Sequence, residues 1–179
     1  MAADLTLLDP QFQALLQQML SQCAAQGVTM VPNEGLRDPF KQGIYWRQSR
    51  STQEINAKIQ EFKNKGASFL AHCIESVGPQ HGDHVTNTPP GISWHQWGLA
   101  ADFFWLVNGK AEWSTKVKVN GVNGYHVMAA VARGLGLNPG LLWTSFRDPP
   151  HVQMPKQNNA ASVHSLQEID ATMKARFGP

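Results

Sequence analysis

The run Ser93-Trp94-His95-Gln96-Trp97-Gly98-Leu99-Ala100-Ala101-Asp102 sets an imidazole and a carboxylate seven positions apart, with small residues between them. Further on, Asp148-Pro149-Pro150-His151 adds a second imidazole and a spare acid. A hydrolytic zinc site takes about three protein ligands and leaves one position open. His95, Asp102 and His151 offer nitrogen, oxygen and nitrogen, and Gly98 and Ala100 let the backbone turn closely enough for the first two to face one ion. Asp148 stands three residues before His151, across two prolines that stiffen the connection. That placement suits a base that takes a proton from water attacking a carbonyl and passes it to the departing amine. Spacing alone leaves plainer readings open. Asp102 can be a turn or cap carboxylate, His95 a packed or exposed imidazole, and Asp148 the start of a turn before Pro149.

Other residues extend the same choice. Arg37, in Glu34-Gly35-Leu36-Arg37-Asp38, suits a substrate carboxylate or a developing oxyanion, or else a surface salt bridge to Asp38 or Glu34. Ser93 either donates to a substrate peptide or shapes the turn. A Ser93-His95-Asp102 nucleophilic triad is disfavoured, because Ser93 lacks a G-x-S-x-G elbow and stands two residues from His95. Trp94, Trp97 and Trp143 crowd these segments and either line a cleft or pack in a core. His81 and His84 are spaced as an accessory metal pair, whereas His72 reads as structural and His126 and His164 as surface or capping residues.

The elements that must position these groups are legible from periodicity and caps. Asp9-Pro10 opens an amphipathic helix through Phe12, Leu15, Leu16, Met19, Leu20 and Cys23, ending near Gly27. Val28 to Val31 is a strand candidate, and Asp38-Pro39 opens a second helix. Ser51-Thr52-Gln53-Glu54 is a capping box for a third, with Ile55, Ile59 and Phe62 on its apolar face and a break at Gly66. Phe69, Leu70 and Ile74 continue a helical pattern. Residues 78–91 form a Gly/Pro-rich loop. Ala100 to Val107 reads as a central strand covered on both faces, and Asn108-Gly109 as a hairpin turn into Ala111-Glu112-Trp113. A helix spans Gly124 to Arg133, a turn-rich stretch Gly134 to Gly140 follows, and His151 to Gln153 is strand-like. Ser165 to Phe177 closes the chain as a helix. The order is α+β, in a single domain over residues 1–179.

Composition narrows the function. A hydrophobic content of 42% with mean hydropathy of −0.32 describes a soluble globular chain. A net charge of +2, without a basic block, gives nucleic acid little support. Cys23 and Cys73, each with apolar neighbours in a helical pattern, read as buried free thiols. No secretory signal or membrane-length apolar run is visible, which implies synthesis in the cytoplasm and export by another agent.

With these residues in hand, the chain resembles the zinc peptidases that include VanY-type D-Ala-D-Ala carboxypeptidases, especially the phage L-alanyl-D-glutamate endopeptidase endolysins. Ser93, His95, Gly98, Ala100 and Asp102 meet the family pattern S-x-H-x2-G-x-A-x-D, and Asp148 with His151 meets its second motif. Gly35, Arg37 and Gln42 match an upstream arginine motif, and Val85-Thr86-Asn87 leading to Pro90-Gly91 is similar to the endopeptidase branch. The resemblance covers about residues 28–153.

It implies a small antiparallel sheet with flanking helices and a zinc cleft, a Hedgehog/DD-peptidase-like fold. It implies one catalytic Zn2+ held by His95, Asp102 and His151, with Asp148 as general base and acid. Arg37 would meet substrate charge, and Ser93, Gln42, Trp94 and Trp143 would contact substrate. The implied substrate is the bacterial peptidoglycan stem peptide, cut between L-alanine and D-glutamate. Alternatives are a D-alanyl-D-alanine carboxypeptidase or dipeptidase, or a non-catalytic zinc-stabilised binding domain. The expected setting is a monomeric phage lysin without a wall-binding module, acting in the periplasm after a holin-like partner permeabilises the membrane. The segment 51–83 is longer than the family's usual link between the arginine and metal motifs.

Overall fold

The computed structural model describes residues 2–156 and 158–179. Among them the elements run α1 (Pro10–Ala25), β1 (Thr29–Glu34), α2 (Pro39–Arg47), α3 (Thr52–Asn64), α4 (Ser68–Glu75), α5 (Trp94–Trp97), β2 (Ala100–Val107) and β3 (Lys110–Glu112). They continue with α6 (Gly124–Gly134), β4 (Asn138–Pro139), β5 (His151–Gln153) and α7 (Leu166–Phe177), with short 3-10 turns at Gly140–Leu142 and Ala160–Ser162. The result is a small α+β fold with an antiparallel sheet and flanking helices. The chain divides into two compact units, one of Met1–Leu36 with Trp97–Lys156 and one of Arg37–Gln96 with Gln157–Pro179.

The first unit holds the sheet, in the order β1-β2-β5-β4 with β3 added beside β2. Its local punctuation follows the sequence. The Asp9 carboxylate accepts the Gln11 and Phe12 N–H groups at 3.0 and 3.1 Å, which satisfies donors that the first turn of α1 leaves open. Asn108 and Gly109 both take positive φ, 49° and 75°, so Val107 and Lys110 pair across a two-residue turn. The apolar stripe of α1 (Phe12, Leu16, Met19 and Cys23) is wholly buried with Phe103, Tyr125, Met128 and Val152. At the start of α6, a side chain on Gly124 would put a Cβ 2.4 Å from the Trp105 ring, so helix and strand meet there without one. β2 is central, as its apolar run implies, but its faces differ. Phe103 and Trp105 are buried, while Phe104, Leu106 and Val107 are half-covered. The stretch read as turns from Gly134 to Gly140 also contributes β4, which pairs with β5.

The second unit is helical. Ser51–Glu54 and Ser165–Glu168 both form reciprocal capping boxes, at the starts of α3 and α7. Gly66, at φ 75°, ends the α3 turn and leads into α4. α4 has no side-chain cap from Ala67. The buried Asp170 of α7 supplies one from a distance, accepting the Leu70 N–H at 2.8 Å. α2 and α4 approach so closely that a Cβ on Gly43 would lie 2.4 Å from the Cys73 carbonyl oxygen. Both cysteines are free and buried. Burial pushes the Cys23 thiol up to about 11, and burial with the Asp170 and Asp38 charges pushes Cys73 up to about 12. Among the described residues no helix is long and apolar enough to cross a membrane.

Candidate metal centre

The ligand-bearing segments are placed by backbone rules. Ser93 opens the short helix α5, its hydroxyl accepting the His95 N–H at 3.3 Å, while the Gln96 side chain accepts the Ser93 N–H at 3.2 Å. Asp102 lies on β2 and His151 begins β5, where antiparallel register makes them direct partners. Side chains of cross-strand partners rise on the same face. Gly140 fixes the approach to His151: its carbonyl accepts the Asp148 N–H at 3.1 Å, and a Cβ there would come within 2.3 Å of the Asp148 oxygen. The Asp148 carbonyl in turn accepts the His151 N–H at 3.0 Å.

His95, Asp102 and His151 each present a ligand atom, and these atoms lie within 4.8 Å of one another. His95 and His151 are buried, and Asp102 is partly exposed. Two imidazoles and a carboxylate are the donor set of a catalytic zinc site that keeps an open position. His151 supplies the test of fit. Its Nε2 lies 3.0 Å from Gln153 Oε1, and its Nδ1 lies 3.0 Å from Asp102 Oδ1. An imidazole that donates through Nε2 turns an Nδ1 lone pair toward the carboxylate, so two acceptors meet unless a cation lies between them. A proton or a metal ion satisfies that arrangement, and the residues therefore fit zinc. Burial pushes the His151 pKa down. The Asp102 hydrogen bond and charge, the Asp148 charge and the Gln153 contact outweigh burial and raise it. Gln153, itself buried, plays the supporting part that ligating histidines usually require. Its i+2 spacing from His151 on a strand was the available signal for it.

The other candidates fall at distinct places. Trp143 packs on the His151 ring with centroids 5.1 Å apart and donates its Nε1–H to Asn138 at 2.9 Å. Trp94 is buried at 4% exposure, whereas Trp97 and Ser93 are half-covered. Asp148 is partly exposed, and its charge acts on His151. Arg37 is buried and donates to the wholly buried Gln42 at 2.9 Å, rather than lying open on the surface. Of the remaining histidines, His72 meets the Phe40 ring edge-on and His84 contacts Ser49. Among the described residues, groups of three or more potential ligands close enough to hold a metal comprise only His95, Asp102 and His151.

A family model described as D-alanyl-D-alanine carboxypeptidase matches residues 86–154, the stretch that holds His95, Asp102, Asp148 and His151. Similar solved structures include the Serratia marcescens L-Ala D-Glu endopeptidase ChiX, at 17% identity over 84% of this chain and 82% of that one, with a TM-score of 0.43. The vancomycin resistance D,D-pentapeptidase VanY from a VanB-type cassette, in complex with Zn(II), is 18% identical over 92% and 78% of the two chains, with a TM-score of 0.45. VanYB in complex with D-alanine-D-alanine is 18% identical over 94% and 77%, with a TM-score of 0.45. No curated protein sequence matches the chain. The His95-Asp102-His151 cluster makes this chain a zinc metallopeptidase, and the segment 86–154 that carries the cluster is similar to the family model described as D-alanyl-D-alanine carboxypeptidase.

Proposed function

We propose that this peptidase hydrolyses peptide bonds in the stem peptide of bacterial peptidoglycan and that its fold is of the Hedgehog/DD-peptidase kind. The observation that carries the reading is the three-ligand cluster lying inside the segment matched by the carboxypeptidase family model. That model favours release of a terminal D-alanine. A second reading, cleavage between L-alanine and D-glutamate, draws on Val85-Thr86-Asn87 and Pro90-Gly91. It brings with it a phage origin, a monomer, and holin-dependent access from the cytoplasm to the periplasm.

His95, Asp102 and His151 would hold the ion. Bound zinc supplies Lewis acidity toward a carbonyl oxygen and lowers the pKa of water. Asp148 takes the proton of the attacking water and returns it to the amine as the peptide bond breaks. It is suited to this because it is partly open to solvent and held by backbone bonds to Gly140 and His151. Arg37 meets an anionic group of the substrate, and Gln42 orients it. Ser93 keeps its hydroxyl proton available for a substrate carbonyl while its oxygen accepts from His95. Trp143, braced by Asn138, excludes water from one side of His151. Trp97 offers apolar surface to the peptide, and the buried Trp94 anchors the His95 turn.

Mass analysis of pentapeptide muropeptides after incubation with the zinc-loaded protein tests the reading. Loss of one terminal D-alanine supports the carboxypeptidase assignment, and release of the stem from L-alanine supports the endopeptidase one. Muropeptides left intact by a zinc-loaded, folded protein refute both.

A further inference from the structure

A buried amide relay ties Arg37 to the turn that carries His95. Arg37 Nη1 donates to Gln42 Oε1 at 2.9 Å, and Gln96 Nε2 donates to the same oxygen at 3.1 Å. Gln42 Nε2 donates to the Thr88 carbonyl at 2.6 Å, and Gln96 Oε1 accepts the Ser93 N–H at 3.2 Å. Gln42 and Gln96 are both wholly buried. The direction of every bond follows from chemistry. A guanidinium only donates and a backbone carbonyl only accepts, so the Gln42 oxygen must face Arg37 and its nitrogen Thr88. Gln96 must then present its nitrogen to Gln42, which leaves its oxygen for the Ser93 N–H. No member can be reversed without leaving a buried polar group unsatisfied. The Arg37 backbone N–H also donates to the His95 carbonyl at 3.3 Å, and the Tyr45 ring lies 5.1 Å from the guanidinium carbon.

We propose that Gln96, acting through Gln42, is a positioning residue that holds the Arg37 guanidinium in a fixed orientation beside the His95 turn. Neither glutamine is a substrate contact on this account. Gln96 adjoins a metal ligand in sequence, yet its amide is committed to Gln42 and Ser93. The single oxygen of Gln42 gathers two donors, so losing the Gln96 donor removes one of the bonds that restrain the Gln42 side chain and loosens the acceptor that holds Arg37. The consequence for turnover rests on the role given above to Arg37 in meeting substrate charge; the orientation itself does not.

The test is the rotation rate of the Arg37 guanidinium, measured by nitrogen NMR on the zinc-loaded full chain, alongside zinc content and steady-state kinetics on the stem peptide. Gln96→Met should accelerate the rotation about tenfold by removing a buried donor. Gln96→Glu, which keeps size and the acceptor for Ser93 but lacks the donor, should do the same. Gln42→Glu should retain slow rotation, because its carboxylate still accepts from Arg37, and a general packing defect would not produce that rescue. With zinc content unchanged, the two Gln96 variants should raise KM and leave kcat near that of the parent. Unchanged Arg37 rotation in a folded Gln96 variant overturns the proposal. Faster rotation with an unchanged KM upholds the relay and removes Arg37 from substrate binding instead.

Discussion

Asp102 and His151 are direct cross-strand partners on β2 and β5, with Asp102 Oδ1 3.0 Å from His151 Nδ1 although the two stand 49 positions apart in the chain. The separation of these ligands is thus set by strand register rather than by a loop. A slip of one residue would turn His151 to the opposite face of the sheet and dismantle the site. β2 is pinned against such a slip by β1 on its other edge and by the buried Phe103 and Trp105. The core that stabilises the sheet therefore also sets the geometry of the metal donors.

Gln153 lies on the same strand face as His151 and contacts its Nε2 at 3.0 Å. Gln153→Leu removes that partner without touching a ligand. Zinc affinity should fall by about 10- to 100-fold, the usual cost of losing such support, as measured by competition with a chromogenic chelator. An unchanged dissociation constant would mean that Gln153 does not orient the ring.

In the proposed mechanism Asp148 moves the proton without holding the ion. Asp148→Asn preserves the side-chain shape and the backbone bonds to Gly140 and His151. It should lower kcat by about 10²- to 10⁴-fold, while zinc content and thermal midpoint stay at parent values. Hydrolysis at the parent rate would assign the base elsewhere.

The two capping boxes make a pH-dependent contribution to stability. The Ser51 hydroxyl and N–H hold the Glu54 carboxyl below its ordinary value of 4.5, and the Ser165 N–H and hydroxyl do the same for Glu168. A carboxyl whose pKa is depressed by folding stabilises the native state above its unfolded value, and the effect is lost as pH falls through the folded one. Between pH of about 6 and 3, the parent's thermal midpoint should therefore drop more than that of a Glu54→Gln/Glu168→Gln variant. Parallel midpoint curves for the two proteins would remove the capping carboxylates from the acid response.

Features decided by a few neighbouring residues were legible in the sequence. The Asp9, Asp38 and Ser51 caps and the Asn108-Gly109 turn satisfy backbone groups two or three residues away. The His95, Asp102 and His151 motifs stood out because zinc demands those donor types. β4 was not legible: two residues carry no periodicity, and Asn138–Pro139 becomes a strand only because β5 lies beside it. Nor were the tasks of Gln153 and Gln96, although Ser93-x-x-Gln96 is a capping-box spacing that hinted at the second.

The sequence by itself determined the donor set, the caps and the turn, because side-chain chemistry and short-range hydrogen bonding are written in residue type and spacing. Only the tertiary structure decided that Asp102 and His151 are register partners and that Gln42 turns its oxygen to Arg37. Those outcomes depend on groups far apart in the chain, where burial leaves a polar atom no solvent to replace the partner it would lose.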